Sequence, residues 1–167
     1  MSPTPRLELR APSLGATHAV AAALAALSRS GDIILLGGEM GAGKTAFVQG
    51  FGRALGVSEP ITSPTFNLVH SYDTASVTLH HADLYRLEHL AEVADLGLGE
   101  LAEYHGIVIV EWGDVVESSF GDHLAVRLEI DEPDLDGRLV TISAVGHLWA
   151  TRWAALERAT ADLAVAR

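Results

Sequence analysis

Residues 37–47 of the chain have the sequence GGEMGAGKTAF. It matches the pattern G-x-x-x-x-G-K-[ST], with Gly38, Gly43, Lys44 and Thr45 at the fixed positions. Glycines allow the backbone to turn its N–H groups towards an anion, and a helix that begins at the lysine adds its positive N-terminal end. The pattern therefore predicts a phosphate-binding loop.

The segments on both sides of the loop support this prediction. Residues 33–36 are wholly apolar, as is typical of a buried strand in a parallel sheet. Residues 44–55 have the period of an amphipathic helix, and Gly56 ends it. Apolar residues at four-residue intervals share one face of this helix: Phe47, Phe51 and Leu55. The order of strand, glycine loop and helix argues against a chance glycine-rich turn.

The chemistry of the motif gives its residues roles. The Lys44 ammonium can reach the β- and γ-phosphates of a nucleotide, and the Thr45 hydroxyl can ligate Mg²⁺. The predicted phosphate-binding set is the loop and the start of the helix: Gly38, Gly41, Ala42, Gly43, Lys44, Thr45 and Ala46.

The remaining chain predicts further strands and helices. Apolar or alternating segments predict strands at residues 7–9, 66–72, 77–81, 107–110, 126–130 and 139–145. Helices are predicted at residues 17–30 with Thr17 as the N-cap, at 89–96, at 100–104 and from 149 to the end. We expect residues 1–12 to be partly flexible and residues 148–167 to form a C-terminal helix. The predicted fold class is α/β and P-loop NTPase-like: one domain over residues 1–167, with a central, mainly parallel sheet flanked by helices and additional antiparallel strands.

Two acidic residues near strand ends are candidate partners for the loop. A P-loop needs a further acid to hold Mg²⁺ and to orient an attacking water. Glu111 directly follows the apolar run at residues 107–110. We favour the role of Mg²⁺ ligand for Glu111 over that of a surface glutamate. Asp83 closes a predicted strand and precedes a helix, so a role in the site and a role as a helix cap are equally open.

Other residues near these positions allow two interpretations each. The hydroxyls of residues 62–65, TSPT, can act as a switch loop that contacts the γ-phosphate or its metal, or can belong to an ordinary turn. Trp112 is expected in the core, where aromatic residues usually lie, although a place beside the site is open. His80 and His81 do not predict a metal site, because adjacent residues of a strand point to opposite faces.

Composition limits the classes of function. The net charge is −11, and the 11 basic residues never form a run, which argues against a protein that grips nucleic acid alone. An acidic surface suits a basic partner protein better. The apolar run at residues 19–27 is shorter than the ~20 residues of a membrane span, and the chain has no cysteine. We expect a cytoplasmic protein without a membrane segment.

Several motifs occur together in a specific order. The segments GEMGAGKT, SPTF, HADLYRL and VEW follow one another at a spacing that resembles the TsaE (YjeE) family of bacterial ATPases. The resemblance extends from about Thr17 to the strand near Val145. The first motif is shared by many families, whereas the other three together are far more specific.

The resemblance implies a function and a set of site residues. TsaE proteins take part in the threonylcarbamoyl modification of adenosine 37 in tRNA, hydrolyse ATP slowly with Mg²⁺, and act with the TsaB–TsaD pair, which performs the transfer. Contact with tRNA would then be only indirect. The resemblance implies that Lys44 and Thr45 bind phosphate and Mg²⁺ and that Glu111 is a further Mg²⁺ ligand. It assigns Asp83 and Thr65 to the catalytic or switch set, with Trp112 next to that set. It also implies that Thr17 and Arg138 contact the nucleotide from outside the loop.

The sequence departs from the family pattern at two places. Many members have proline after the glutamate–tryptophan pair, where this chain has Gly113, and many have threonine where it has Ala46. Neither position is a proposed ligand through its side chain. The C-terminal segment is longer than in some relatives.

Three other functions remain to be weighed. A small-molecule kinase of P-loop type needs arginines that clamp the transferred group, and Arg86 is the only arginine between Arg53 and Arg127. A GTPase is disfavoured because the guanine-reading pattern N-K-x-D is absent. A nucleotide-binding scaffold without hydrolysis is disfavoured by Thr45, Asp83 and Glu111, although only a rate separates these cases.

Overall fold

A computed structural model describes residues 4–64, 68–85, 87 and 90–165. The strands are β1 (Arg6–Ala11), β2 (Ile33–Gly37), β3 (Val69–Asp73), β4 (Thr78–Asp83), β5 (Gly106–Glu111), β6 (His123–Ile130) and β7 (Arg138–Val145). The α-helices are α1 (Leu14–Leu27), α2 (Lys44–Leu55), α3 (Leu90–Asp95), α4 (Leu98–Glu103) and α5 (Trp153–Ala159), with 3₁₀ helices at Gly113–Ser119 and Ala161–Leu163. No helix in these ranges is long and apolar enough to span a membrane.

The strands form one seven-stranded sheet in the order β1-β7-β6-β2-β5-β4-β3. The four inner strands, β6, β2, β5 and β4, are parallel, whereas β3, β7 and β1 pair antiparallel. Apolar strands buried on both faces suit such a parallel centre. The predicted α/β class, with a mainly parallel centre and additional antiparallel strands, is confirmed.

Helices cover the two faces of the sheet. The alternation of β5 shows this clearly, because Ile107 and Ile109 pack in the core under α1 and α2 while Val108 and Val110 pack in a second core. The second core also takes up Val93 of α3 and Leu98 of α4. The loop to α2 follows the last residue of β2, so it lies at the carboxyl end of the parallel strands.

The predicted N-cap of α1 is wrong. The helix begins at Leu14, and the Ser13 hydroxyl caps it by accepting a hydrogen bond from the Ala16 N–H at 3.1 Å. Thr17 lies inside the first turn, where its N–H bonds the Ser13 carbonyl and its side chain is buried. Both residue types cap helices well, so the choice between them depends on which position faces the core.

The strand predicted at residues 7–9 is confirmed and is longer than predicted, because β1 spans Arg6–Ala11 and pairs with β7 along its whole length. At the other end, α5 covers only Trp153–Ala159 rather than all of residues 148–167, and Ala164 makes a β-bridge to Leu9. The predicted packing role of the C-terminal apolar residues is confirmed for Trp149 and Leu156, which are fully buried.

The remaining elements agree with the predictions within a few residues. The helix α2 has the predicted bounds, and Gly56 ends it with a positive φ of 108°. The predicted paired strands at residues 66–72 and 77–81 correspond to β3 and β4, although Phe66 and Asn67 lie outside the described residues. Thr65 of the predicted switch segment also lies outside them, as does Arg86.

Candidate functional site

The glycine loop connects the buried strand β2 to α2. Gly38, Gly41 and Gly43 have positive φ angles of 135°, 84° and 106°, which side chains with a Cβ rarely adopt. A Cβ on Gly38 would also collide with the Leu128 carbonyl oxygen. The helix α2 begins at Lys44 without a side-chain cap, so its first N–H groups are free to bind an anion.

The Lys44 ammonium is hydrogen-bonded to the backbone of its own loop. Its Nζ donates to the carbonyl oxygens of Gly38 at 2.6 Å and Glu39 at 2.8 Å. It also lies 3.9 Å from the centroid of the Trp112 ring, within cation–π range. The side chain is buried, with 5% exposed. These contacts hold a positive charge at the centre of the loop.

Burial and neighbouring charges act on this ammonium in opposite directions. Desolvation lowers the pKa of Lys44 below its usual 10.5, while the carboxylates of Glu111, Asp114 and Asp83 oppose that change. The carboxylates therefore favour the charged form, which is the form that binds phosphate.

Glu111 lies at the end of β5, beside the first turn of α2. The Thr45 hydroxyl is 2.9 Å from Glu111 Oε1 and 3.1 Å from Oε2. On the inner side, the His81 Nε2 is 2.6 Å from Glu111 Oε2. The structure thus brings the two predicted Mg²⁺ ligands, Thr45 and Glu111, into contact; sequence reasoning missed His81 as their neighbour. The signal was the alternation of β4, which puts His81 on the same face as Asp83.

Asp83 makes contacts of both kinds that the sequence left open. Its Oδ1 accepts a hydrogen bond from the Tyr85 backbone N–H at 2.9 Å, as a capping residue does. Its Oδ2 accepts one from the Ser63 hydroxyl at 2.7 Å, which connects β4 to the TSPT segment. Asp83 therefore both stabilises the following turn and reaches the segment predicted to be a switch.

Trp112 meets both interpretations that the sequence left open, because it packs against the edge of the second core and also lines the pocket. It has a positive φ of 62°, is only partly buried, and lines the same pocket as Lys44. The Tyr85 ring packs against it with 5.3 Å between ring centroids. The left-handed backbone after Glu111 turns the indole back towards the loop, and no pattern in the sequence predicts that turn.

Arg138 touches the loop backbone. Its Nε donates to the Ala42 carbonyl at 2.7 Å, and its Nη1 donates to the carbonyls of Leu135 and Gly137 at 2.7 and 2.8 Å. These bonds join the β6–β7 connection to the loop. Direct nucleotide contacts of Arg138, and of Thr17 in α1, stay predictions.

A pocket of about 320 Å³ lies beside Lys44, Thr45, Glu111, Asp83 and Trp112. Among the residues that the structure describes, its lining includes Met40, Gly41, Gly43, Lys44, Thr45, Ala46, Ser63, Asp83, Tyr85, Glu111 and Trp112. A larger cavity of about 510 Å³ lies on the open face of β1, β7 and β6, but it lacks the loop's convergent N–H groups and lysine. Chemistry rather than size therefore selects the smaller pocket as the candidate site.

The donor atoms of this pocket suit Mg²⁺. The Thr45 hydroxyl and the carboxylates of Glu111 and Asp83 are hard oxygen ligands. Within the described residues, no group of three or more His, Cys, Asp or Glu side chains could enclose a metal alone. A site with one or two carboxylates fits an ion that takes its other ligands from water and phosphate oxygens, as Mg²⁺ usually does.

Fold and site together define an α/β protein with a candidate phosphate site between a parallel strand and a helix. The family model described as "Threonylcarbamoyl adenosine biosynthesis protein TsaE" matches residues 11–140. The chain belongs to the TsaE family, so the predicted resemblance is confirmed.

Individual relatives cover most of the chain. The tRNA threonylcarbamoyladenosine biosynthesis protein TsaE of Bacillus subtilis is 37% identical over 131 residues, which are 78% of this chain and 81% of the relative. The protein of the same name from Streptomyces coelicolor is 40% identical over 77% of this chain and 90% of its own. The crystal structure of YdiB from Bacillus subtilis superposes with a TM-score of 0.73 at 29% identity, covering 97% of this chain and 98% of that one.

Proposed function

We propose that this protein is a P-loop ATPase that binds ATP or ADP with Mg²⁺ and hydrolyses ATP slowly. Its role is in the tRNA threonylcarbamoyladenosine machinery of bacteria, where it acts with the TsaB–TsaD complex. The observation that carries the proposal is the contact between Thr45 and Glu111 beside the buried Lys44 ammonium, in a member of the TsaE family. The P-loop NTPase-like fold assignment is part of the same proposal.

The loop and its lysine supply the phosphate binding. An ammonium has three N–H donors, and two from Lys44 go to the carbonyls of Gly38 and Glu39. The third can go to a phosphate oxygen without breaking the loop's own bonds. The backbone N–H groups at the start of α2 complete the contacts to the anion.

Thr45 and Glu111 would hold Mg²⁺, which supplies charge neutralisation on the β- and γ-phosphate oxygens when it is bound. Asp83 lines the same pocket and is already bonded to Ser63. It can therefore orient a water molecule, or the TSPT segment that carries Ser63, next to the γ-phosphate. Glu111 and Asp83 end adjacent parallel strands, which keeps these two carboxylates at one edge of the sheet.

The family and the charge support the proposed partners and location. A net charge of −11 suits a component that acts through TsaB–TsaD and contacts tRNA only indirectly. We propose that the protein lies in the cytoplasm, together with the tRNA modification machinery.

The test is ATP hydrolysis by the purified protein, alone and with a cognate TsaB–TsaD pair, without any small-molecule acceptor. We expect a slow rate that rises when the pair is added. An equal rate of hydrolysis with and without the TsaB–TsaD pair would overturn the partner-coupled function. Formation of ADP only after a small hydroxylated or phosphorylated acceptor is added, with the phosphoryl group recovered on that acceptor, would instead identify a kinase.

A further inference from the structure

His81 lies directly behind the candidate Mg²⁺ ligand. Its Nε2 is 2.6 Å from Glu111 Oε2, and its side chain is 0% exposed. We propose that His81 is a positioning residue, which holds the Glu111 carboxylate in the orientation that ligates Mg²⁺. This inference rests on the proposed function, because it requires Glu111 to act on a nucleotide-bound metal.

The strand register explains why His81 reaches Glu111. In the parallel pair of β4 and β5, His81 lies opposite Ile109 and Asp83 lies opposite Glu111. His81 therefore sits one same-face position deeper in the sheet than the two carboxylates, on the face that α2 covers. From there the imidazole extends towards the strand ends and meets the carboxylate from its buried side.

The unpaired second nitrogen identifies the hydrogen-bond donor. Within the described part of the chain, His81 Nδ1 is buried without a hydrogen-bond partner. A neutral ring with its proton on Nδ1 would leave that donor unpaired, and would set the Nε2 lone pair against a carboxylate oxygen 2.6 Å away. The hydrogen on Nε2 therefore points at Glu111.

Glu111 is bonded from two different elements. The Thr45 hydroxyl contacts both carboxylate oxygens from the first turn of α2, and His81 contacts Oε2 from β4. Glu111 is 3% exposed, so water cannot replace a lost bond at low cost. Without His81, the carboxylate would turn to satisfy itself elsewhere, and the ligand geometry at Thr45 would be lost. His81 itself is fully buried and acts only through Glu111.

The experiment measures binding rather than turnover. The affinity for a non-hydrolysable ATP analogue is measured by calorimetry, at one pH, with Mg²⁺ and with EDTA. The affinity with Mg²⁺ divided by the affinity with EDTA is called the Mg²⁺ gain. We expect His81→Leu to reduce this gain about 10-fold or more, with the EDTA affinity unchanged, because loss of an outer hydrogen bond typically weakens metal binding 10- to 100-fold.

Two further variants sharpen the result. His81→Gln places an amide N–H near the position of Nε2 and is expected to retain most of the gain. His80→Leu, on the opposite face of β4, is the matched control and is expected to leave the gain unchanged. Equal gains in the wild type and in folded His81→Leu would overturn the proposal.

The design also covers a variant that fails to fold. If His81→Leu does not fold, His81→Gln is compared with His81→Asn, whose shorter amide cannot reach Glu111; equal gains would overturn the proposal. Absence of any Mg²⁺ gain in the wild type would overturn the proposed function and this inference together. A normal wild-type gain with unaffected variants would overturn the inference alone.

Discussion

The Thr45 hydroxyl lies 2.9 Å from the Glu111 carboxylate, although 66 residues separate the two in the chain. Thr45 lies in the first turn of α2, and Glu111 is the last residue of β5. Strands β2 and β5 are parallel neighbours, with Leu36 opposite Glu111, so the carboxyl end of β5 meets the loop that leaves β2. This contact places the Glu111 carboxylate, a proposed Mg²⁺ ligand, beside the start of α2 that follows the glycine loop.

Glu111→Gln should lower Mg²⁺-dependent ATP hydrolysis about 100-fold, while nucleotide affinity without metal changes little, because the loop's own phosphate contacts remain. Turnover and EDTA-state affinity are measured on the same preparations. Glu117→Gln is the control, since Glu117 also bonds a histidine, His123, but does not line the loop pocket. Equal hydrolysis by wild type and Glu111→Gln would remove Glu111 from the metal site.

Lys44→Ala should abolish measurable ATP binding, a loss of more than about 100-fold, because it removes the cation at the centre of the loop. Calorimetry or a fluorescent nucleotide reports the affinity. Arg53→Ala is the control, because Arg53 is an exposed cation in the last turn of the same helix. Unchanged affinity in Lys44→Ala would contradict the phosphate-binding role of the loop.

Asp83→Asn separates a catalytic from a capping role. The amide oxygen of asparagine can still accept the bond from the Tyr85 N–H, but the negative charge is lost. We expect the melting temperature to change little and ATP turnover to fall about 10-fold or more. Asp73→Asn, at the end of β3 and bonded to Thr78, is the control. Intact turnover in Asp83→Asn would leave Asp83 as a cap alone.

His80 should make stability depend on pH. Burial lowers the pKa of His80 below its usual 6.5, although the Asp73 carboxylate acts in the opposite direction. As the pH falls through 6.5, the unfolded chain gains a proton at this position while the folded protein does not, so the free energy of unfolding decreases down to the lowered pKa. Urea titrations between pH 7 and pH 5 should show a smaller decrease for His80→Gln than for wild type or for the exposed control His147→Gln.

The buried ion pair between Arg152 and Asp32 should stabilise the C-terminal segment. The two side chains form paired bonds of 2.7 and 2.9 Å and are almost fully buried. Arg152→Ala would leave the Asp32 carboxylate uncompensated, at a cost of about 3–5 kcal/mol in the free energy of unfolding. Arg158→Ala, in the exposed part of α5, should cost less than about 1 kcal/mol by the same urea titration.

Local patterns predicted much of the fold. The apolar run before the loop, the four-residue spacing in α2 and the alternation in β6 and β7 each depend on neighbours a few residues away, and the corresponding elements are present. The motif and the glutamate at the end of β5 likewise indicated the edge of the sheet at which the loop pocket lies. The predicted N-cap of α1 is wrong because serine and threonine both occur as N-caps, and it is the Ser13 hydroxyl that accepts the capping bond, from the Ala16 N–H.

The glycine loop, the elements around it and the family resemblance could all be predicted from local sequence patterns. The contacts between side chains at the loop depend on the tertiary structure. His81 reaches Glu111 because β4 pairs with β5 in one register, and Trp112 reaches Lys44 because its backbone adopts a left-handed turn after β5. Such contacts join residues that are far apart in the chain, so they depend on strand pairing and packing that no local periodicity encodes.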